Sequence, residues 1–184
     1  GLFREYDLRG IVGQELTEAI AERVGLAYCT HVRGRGTKTI TVGRDGRLSS
    51  PDLYRALVKG LLAGGLNVID IGICPAPRVY FALRTLPVDG GIMITGSHNA
   101  AEYNGFKICK KDARALSLDD GLDQIRDLAL GGEFPEPAMR GDIIQKEVLP
   151  AYVEHALSFF DITGFKPFKV AVDAGNGMAG RTIP

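Results

Sequence analysis

The sequence predicts an α/β fold, a mixed sheet covered by helices on both faces. Short, β-branched, nearly all-apolar runs alternate with helical runs in the order β-α-β-α-β between Thr39 and Thr95. Strands that are apolar along their whole length belong in sheets buried on both sides. The 184 residues are 45% apolar and 24% charged, enough to bury one sizeable core and begin another.

The elements follow in order. Leu16 to Val32 is an amphipathic helix with Leu16, Ile20, Val24, Ala27 and Tyr28 on one face. "TITVG", Thr39 to Gly43, is a strand. In "SSPDLYRALVKGLLAGG", Ser50 is the expected N-cap and Pro51 suits the first helical position. Leu53, Leu57 and Leu61 keep the helical spacing, and Gly64–Gly65 ends the run. "NVIDIG" is a strand, "PAPRVYFALRTL" a helix opened by prolines, and "GGIMIT" the next strand. "GFKICK" follows as a strand. "SLDDGLDQIRDLALGG" is a helix with Ser117 as N-cap, acids in its first turn and glycines at its stop. "EFPEPAMRGD" reads as a connection and Val148 to Phe160 as a last helix. "FKVAVDAGNGMAG" reads as a strand entering a glycine-rich turn, the first strand of a second α/β domain. The chain divides into residues 1–145 and 146–184, with the boundary between about 140 and 165. It starts without Met and ends as a new element begins, as expected of a fragment.

Lys plus Arg and Asp plus Glu both total 22, so no basic excess points to a nucleic acid or a membrane surface. The three cysteines, Cys29, Cys74 and Cys109, are far apart and form no Cys-x-x-Cys. They are expected to be small buried residues in a reducing, cytoplasmic setting. The N-terminus lacks the apolar core of a signal peptide, and no apolar stretch is long enough to span a bilayer.

Four stretches could carry chemistry. "TGSHN", Thr95 to Asn99, follows a strand, where α/β sheets bind ligands. Gly96 removes a side chain beside Ser97, so a bulky group could approach the hydroxyl. Composition alone leaves an ordinary polar turn equally open. A serine hydrolase needs Gly-x-Ser-x-Gly on a strand-to-helix elbow, but Asn99 stands two residues after Ser97 and a strand follows. A serine that carries a phosphoryl group fits better, because that transfer needs positioning and positive charge. Lys107 would return to Ser97 if the loop closes a hairpin, and His98 can donate a hydrogen bond or a proton.

In "FREYDLRG", Arg9 could grip a phosphate and Tyr6 could face a polyol, although on this run alone a charged terminal strand with surface arginines is the better reading. In "VGRDGRLSSP", Arg44 and Arg47 beside a helix N-terminus favour an anion. The competing reading, slightly preferred, is that Asp45 pairs with one arginine and fixes the loop. In "DAGNGMAG", Gly175, Gly177 and Gly180 have the spacing of a dinucleotide fingerprint, but no helix or ribose-binding acid follows, and a tight turn is the better reading.

Taken together, "FREYDLRG", "VGRDGRLSSP", "TGSHNAAEYNGFK" and "VAVDAGNGMAG" resemble the α-D-phosphohexomutases, the phosphoglucomutase and phosphomannomutase family, in order and spacing. The resemblance implies a cytoplasmic enzyme that interconverts hexose 1-phosphate and hexose 6-phosphate through a hexose 1,6-bisphosphate. It implies that Ser97 is the phosphoserine and that Mg2+ touches its phosphoryl group. Lys107 and His98 would act around the proton transfer, with Lys107 the better general acid/base. Tyr6, Arg9 and Asn99 would form the substrate side, Arg9 near the phosphoryl region, Tyr6 toward the sugar and Asn99 shaping the loop. The family usually has proline after Ser-His-Asn; Ala100 stands there and implies a more mobile loop. Its remaining metal ligands and sugar-selecting loop lie downstream of this stretch, so the chain alone is expected not to complete a turnover. A module that binds phosphosugars without becoming phosphorylated is the competing reading. The preferred sugar and the oligomeric state stay open.

Overall fold

The computed structural model describes residues 1–183; Pro184, the last residue of the expected second unit, lies outside them. The elements are β1 (Leu8–Ile11), α1 (Glu18–Val32), β2 (Thr39–Arg44), α2 (Ser50–Ala63), β3 (Asn67–Ile73) and α3 (Ala76–Thr85). They continue with β4 (Gly90–Ile94), β5 (Tyr103–Lys110), α4 (Asp123–Gly131), β6 (Ile143–Gln145) and α5 (Leu149–Leu157). The strands form one sheet in the order β1-β5-β4-β2-β3-β6. β4, β2, β3 and β6 run parallel, while β5 is antiparallel to both β4 and β1. The sheet is therefore mixed, as the sequence predicts.

The strands' period of two sorts the core onto two faces. Ile40, Val42, Val68, Ile92, Ile94, Phe106 and Ile108 meet residues of α1, α2 and α4 on one side. Ile69, Ile71, Met93 and Cys109 meet Val79, Ala82 and Leu83 of α3 on the other. On the α3 side α5 adds a Phe81–Tyr152 edge-to-face contact at 5.6 Å between ring centroids. α1 and α2 cross closely because Gly25 and Gly60 face each other. A Cβ on Gly25 would stand 2.5 Å from the Leu57 carbonyl oxygen, and one on Gly60 would overlap the Glu22 carbonyl.

Three local expectations are corrected, and one short strand is added. Ser49, not Ser50, is the N-cap of α2, and neither hydroxyl caps the helix. Ser50 is fully buried and donates to Asp45 instead. Ser117 makes no capping bond either. It leads into a wide turn, Leu118–Leu122, in which Gly121 at φ 119° bends the chain before α4. That glycine lets the backbone pass against the His31 ring, where any Cβ would collide. Just past the expected connection, which ends at Asp142, Ile143–Gln145 pair with β3 as β6. Finally, residues 168–174 form no strand. A strand exists only through a neighbour that takes up its backbone hydrogen bonds, and none of the described residues pairs with this run. Phe168, Val170 and Val172 are exposed there. From Leu149 onward no described residue is buried.

Candidate functional site

The serine loop joins two antiparallel strands. β4 and β5 pair with Met93 opposite Lys107 and Ile94 opposite Phe106, so residues 95–102 form the loop between them. This is the hairpin return that brings Lys107 back toward the serine. Ser97, Asn99 and Lys107 line one cleft of about 750 Å3, together with Asp45, Arg47, Met93 and Thr95. The cleft opens at the carboxyl ends of β2 and β4, beside the start of α3 at Pro75 and Ala76. Lys107 projects on the same side of the sheet as Met93 and Cys109, its alternate neighbours. No salt bridge among the described residues involves it.

Ser97 adopts φ 55°, the left-handed region. For a residue with a Cβ this costs roughly 1–2 kcal/mol, so its surroundings must hold it. The holding groups come from the β2–α2 loop. Asp45 is buried, and its carboxylate accepts from Ser50 Oγ (2.6 Å) and Arg47 N–H (3.2 Å) on one oxygen. The other oxygen accepts from Thr95 Oγ1 (2.8 Å) and Arg47 Nε (3.2 Å). Arg47 then donates from Nη1 to the carbonyls of Ala100 (2.7 Å) and Tyr103 (3.0 Å). From Nη2 it donates to those of Ser97 (3.0 Å) and Asn99 (2.6 Å). All five guanidinium N–H groups are thereby used. Beneath them Asn104 is fully buried and donates to Ser49 Oγ (2.9 Å) and Ser50 Oγ (3.0 Å).

Two expectations about this region change. Gly96 does not open space for a ligand beside Ser97: the Arg47 guanidinium occupies it, and a Cβ there would lie 2.5 Å from Arg47 Cζ. Nor do Arg44 and Arg47 form an anion clamp. Arg44 pairs with Asp70 at 3.3 Å and stacks over the Tyr54 ring at 4.3 Å, and Arg47 spends its donors on the loop. The competing reading, Asp45 paired with an arginine to fix the loop, describes the geometry.

The remaining candidates are distributed as follows. His98 Nδ1 lies 3.4 Å from Ser97 Oγ, a long contact on the exposed side of the loop. Arg9, on β1, donates from Nη1 to Asn99 Oδ1 (2.6 Å) and from Nη2 to Asp7 (2.6 Å), while its buried Nε has no partner among the described residues. It therefore meets the serine loop through Asn99. Tyr6 is 56% exposed and is not among the cleft's lining residues. Its phenol is pushed up by a hydrogen bond to Glu5 and by that carboxylate's charge. Asn176, Gly177 and Met178, from the glycine-rich turn, close one side of the cleft, and the Gly46 N–H donates to Met178 Sδ at 3.1 Å. Asn104, Thr95 and the bridging role of Arg47 escaped the sequence reading. The visible signal was weak: polar residues flanking the serine loop and the arginine pair after β2.

Among the described residues no group of three or more His, Cys, Asp or Glu side chains could hold a metal ion. Mg2+ requires six oxygens in near-octahedral geometry. Asp45, the carboxylate beside the serine loop, already has four donors on its two oxygens. These residues do not by themselves fit a Mg2+ site. Among the described residues no helix is long and apolar enough to cross a membrane.

Fold and loop together define an α/β domain that presents a serine, in a strained and tightly held loop, to a cleft at the carboxyl ends of its strands. The family described as phosphoglucomutase/phosphomannomutase, alpha/beta/alpha domain I, matches residues 1–136. The chain belongs to the phosphoglucomutase/phosphomannomutase family. It is 44% identical over 184 residues to a phosphomannomutase of Escherichia coli and 41% identical over 183 residues to one of Vibrio cholerae. Each alignment covers 98% of this chain and 40% of the relative. A crystal structure of a phosphoglucomutase/phosphomannomutase family protein from Burkholderia thailandensis superimposes with a TM-score of 0.87 at 37% identity, covering 98% of this chain and 40% of that one. The chain thus spans about two fifths of the length of the relatives it matches.

Proposed function

We propose that residues 1–145 form the serine-loop domain of a phosphohexomutase, with residues 146–184 leading into a second domain. The reading is that Ser97 carries a phosphoryl group and passes it to a hexose monophosphate. The sugar hydroxyl bonds to phosphorus and releases its proton to solvent, the Ser97 oxygen leaves, and a hexose 1,6-bisphosphate results. The bisphosphate turns over and returns its other phosphoryl to Ser97, giving net exchange between 1-phospho and 6-phospho sugars. Lys107 supplies a proton to the departing serine oxygen and takes it back when that oxygen attacks again. His98 assists from the exposed side of the loop. Arg9 and Asn99 flank the phosphoryl region, and Tyr6 faces the sugar only if the ligand extends beyond the cleft.

The observation that supports this most is the shared cleft: Ser97 from the loop of the hairpin and Lys107 from its returning strand both line it. Mg2+ belongs to the proposal as an ion that an oxygen of the Ser97 phosphoryl group would help to ligate; the described residues supply no carboxylate cluster to complete its shell. Family membership and the homologous phosphomannomutases support the substrate class, a hexose phosphate. A cytoplasmic enzyme fits the same relatives.

Intact-mass analysis after incubation with a hexose 1,6-bisphosphate and a full-length phosphohexomutase tests it. One phosphate adduct mapped to Ser97 and absent from Ser97→Ala is expected. Saturable hexose-phosphate binding without any adduct would replace the proposal with a binding module. Labelling of Ser97 by a fluorophosphonate would point to hydrolase chemistry instead.

A further inference from the structure

We propose that Arg47 is a positioning residue for Ser97, acting through the loop rather than on a ligand; the inference rests on Ser97 being the phosphoryl carrier. Four hydrogen bonds close a ring through the serine's own peptide groups. Ser97 N–H donates to Thr95 Oγ1 at 2.8 Å, and Thr95 Oγ1 donates to Asp45 Oδ2 at 2.8 Å. Arg47 Nε donates to that same oxygen at 3.2 Å, and Arg47 Nη2 donates to the Ser97 carbonyl at 3.0 Å. The peptide groups on both sides of the Ser97 Cα are thereby pinned. Its left-handed φ of 55° cannot relax toward the extended or helical wells without breaking the ring.

Arg47 has no N–H left for a phosphate, and Asp45 lies against its charge. A direct contact with ligand phosphate is therefore excluded as long as the loop keeps this form. The planar fork matters as much as the charge: it spans one carboxylate and four carbonyls at once. A lysine has three donors on one atom and cannot reach all five acceptors. Gly96 completes the device, because only a residue without Cβ lets the guanidinium lie against the loop backbone.

The test compares wild type, Arg47→Ala, Arg47→Lys and Thr95→Val in the intact protein, with thermal melts to establish folding. The readouts are the rate of phosphoserine formation from a hexose 1,6-bisphosphate, and kcat and KM separately. Arg47→Ala is expected to slow phosphorylation and kcat on the order of 10²-fold, the usual penalty for a misplaced reacting group, with KM little changed. Arg47→Lys should not restore the rate, whereas added guanidinium ion should restore part of it in Arg47→Ala. If Arg47→Ala does not fold, Thr95→Val cuts the ring at another bond and should show the same loss in kcat. Folded variants with wild-type rates, or a loss in KM alone that guanidinium does not mend, would overturn the positioning role while leaving the phosphoserine intact. Failure of wild type itself to take up phosphate would remove the function reading and this inference with it.

Discussion

The guanidinium carbon of Arg47 lies where a side chain on residue 96 would have to begin: a Cβ built on Gly96 would be 2.5 Å from it and 2.8 Å from the Tyr103 carbonyl oxygen. One obstacle is the centre of a five-bonded group and the other is backbone, so neither can step aside cheaply. Gly96→Ala is expected to destabilise the fold by about 1–3 kcal/mol, the range for overpacking. It should also reduce Ser97 phosphorylation more than its stability loss explains. Urea denaturation and phosphorylation rate, measured on one preparation, check both. An unchanged midpoint would show that the loop has room the structure does not display.

Lys107 separates chemistry from stability. It has no ion-pair partner among the described residues, and its neighbours on β5 carry the packing. Lys107→Met keeps the stem and removes the ammonium. In the full-length enzyme the melting temperature should hold, while kcat falls by about 10²–10⁴-fold, the usual range for loss of a general acid/base. A variant with full activity would remove Lys107 from the proposed proton transfer.

His31 should make stability depend on pH. Burial lowers its pKa from 6.5, followed by the Arg35 charge, against smaller opposing effects of Gln124 and Asp123. Its Nδ1 lies 3.1 Å from Gln124 Oε1, and the Gly121 backbone presses on the ring. The folded state thus favours the neutral ring, and the unfolded chain takes up the proton first as pH falls. The stabilisation is complete above the unfolded pKa of 6.5 and is lost as pH falls through the lower folded value. The urea midpoint should therefore drop between about pH 7 and about pH 5 by more in wild type than in His31→Gln. Equal slopes would show that the ring is protonated without cost.

The three cysteines should be silent in the native state. All are free and buried. Burial pushes the thiol of Cys29 up to about 12 and those of Cys74 and Cys109 up to about 11. The reactive species is the thiolate, so a thiol reagent at about pH 8 should label none until the protein unfolds, and then all three. Rapid labelling of any one under native conditions would mean that its surroundings open locally.

Much of the fold could be read locally. The run from β2 to β4 declares itself through apolar strands and spaced leucines, since burial on both faces and helical periodicity both write themselves into neighbouring residues. The misses share a cause. β6 is three residues with exposed side chains and exists only because β3 offers its edge. Residues 168–174 have strand composition but no partner among the described residues. Ser50 looks like a cap, yet a buried carboxylate five residues away takes its hydroxyl.

The sequence by itself determined the α/β class, the family resemblance, the serine loop and the lysine on the following strand. These depend on composition, spacing and short motifs. The pairing of Asp45 with an arginine was legible too, but only the tertiary structure decided what Arg47, Gly96 and Asn104 hold, because their partners lie about fifty residues away and meet only when β2 and β4 pair side by side. An arginine's charge is visible in a sequence; which five acceptors satisfy it is set by the distances that folding creates.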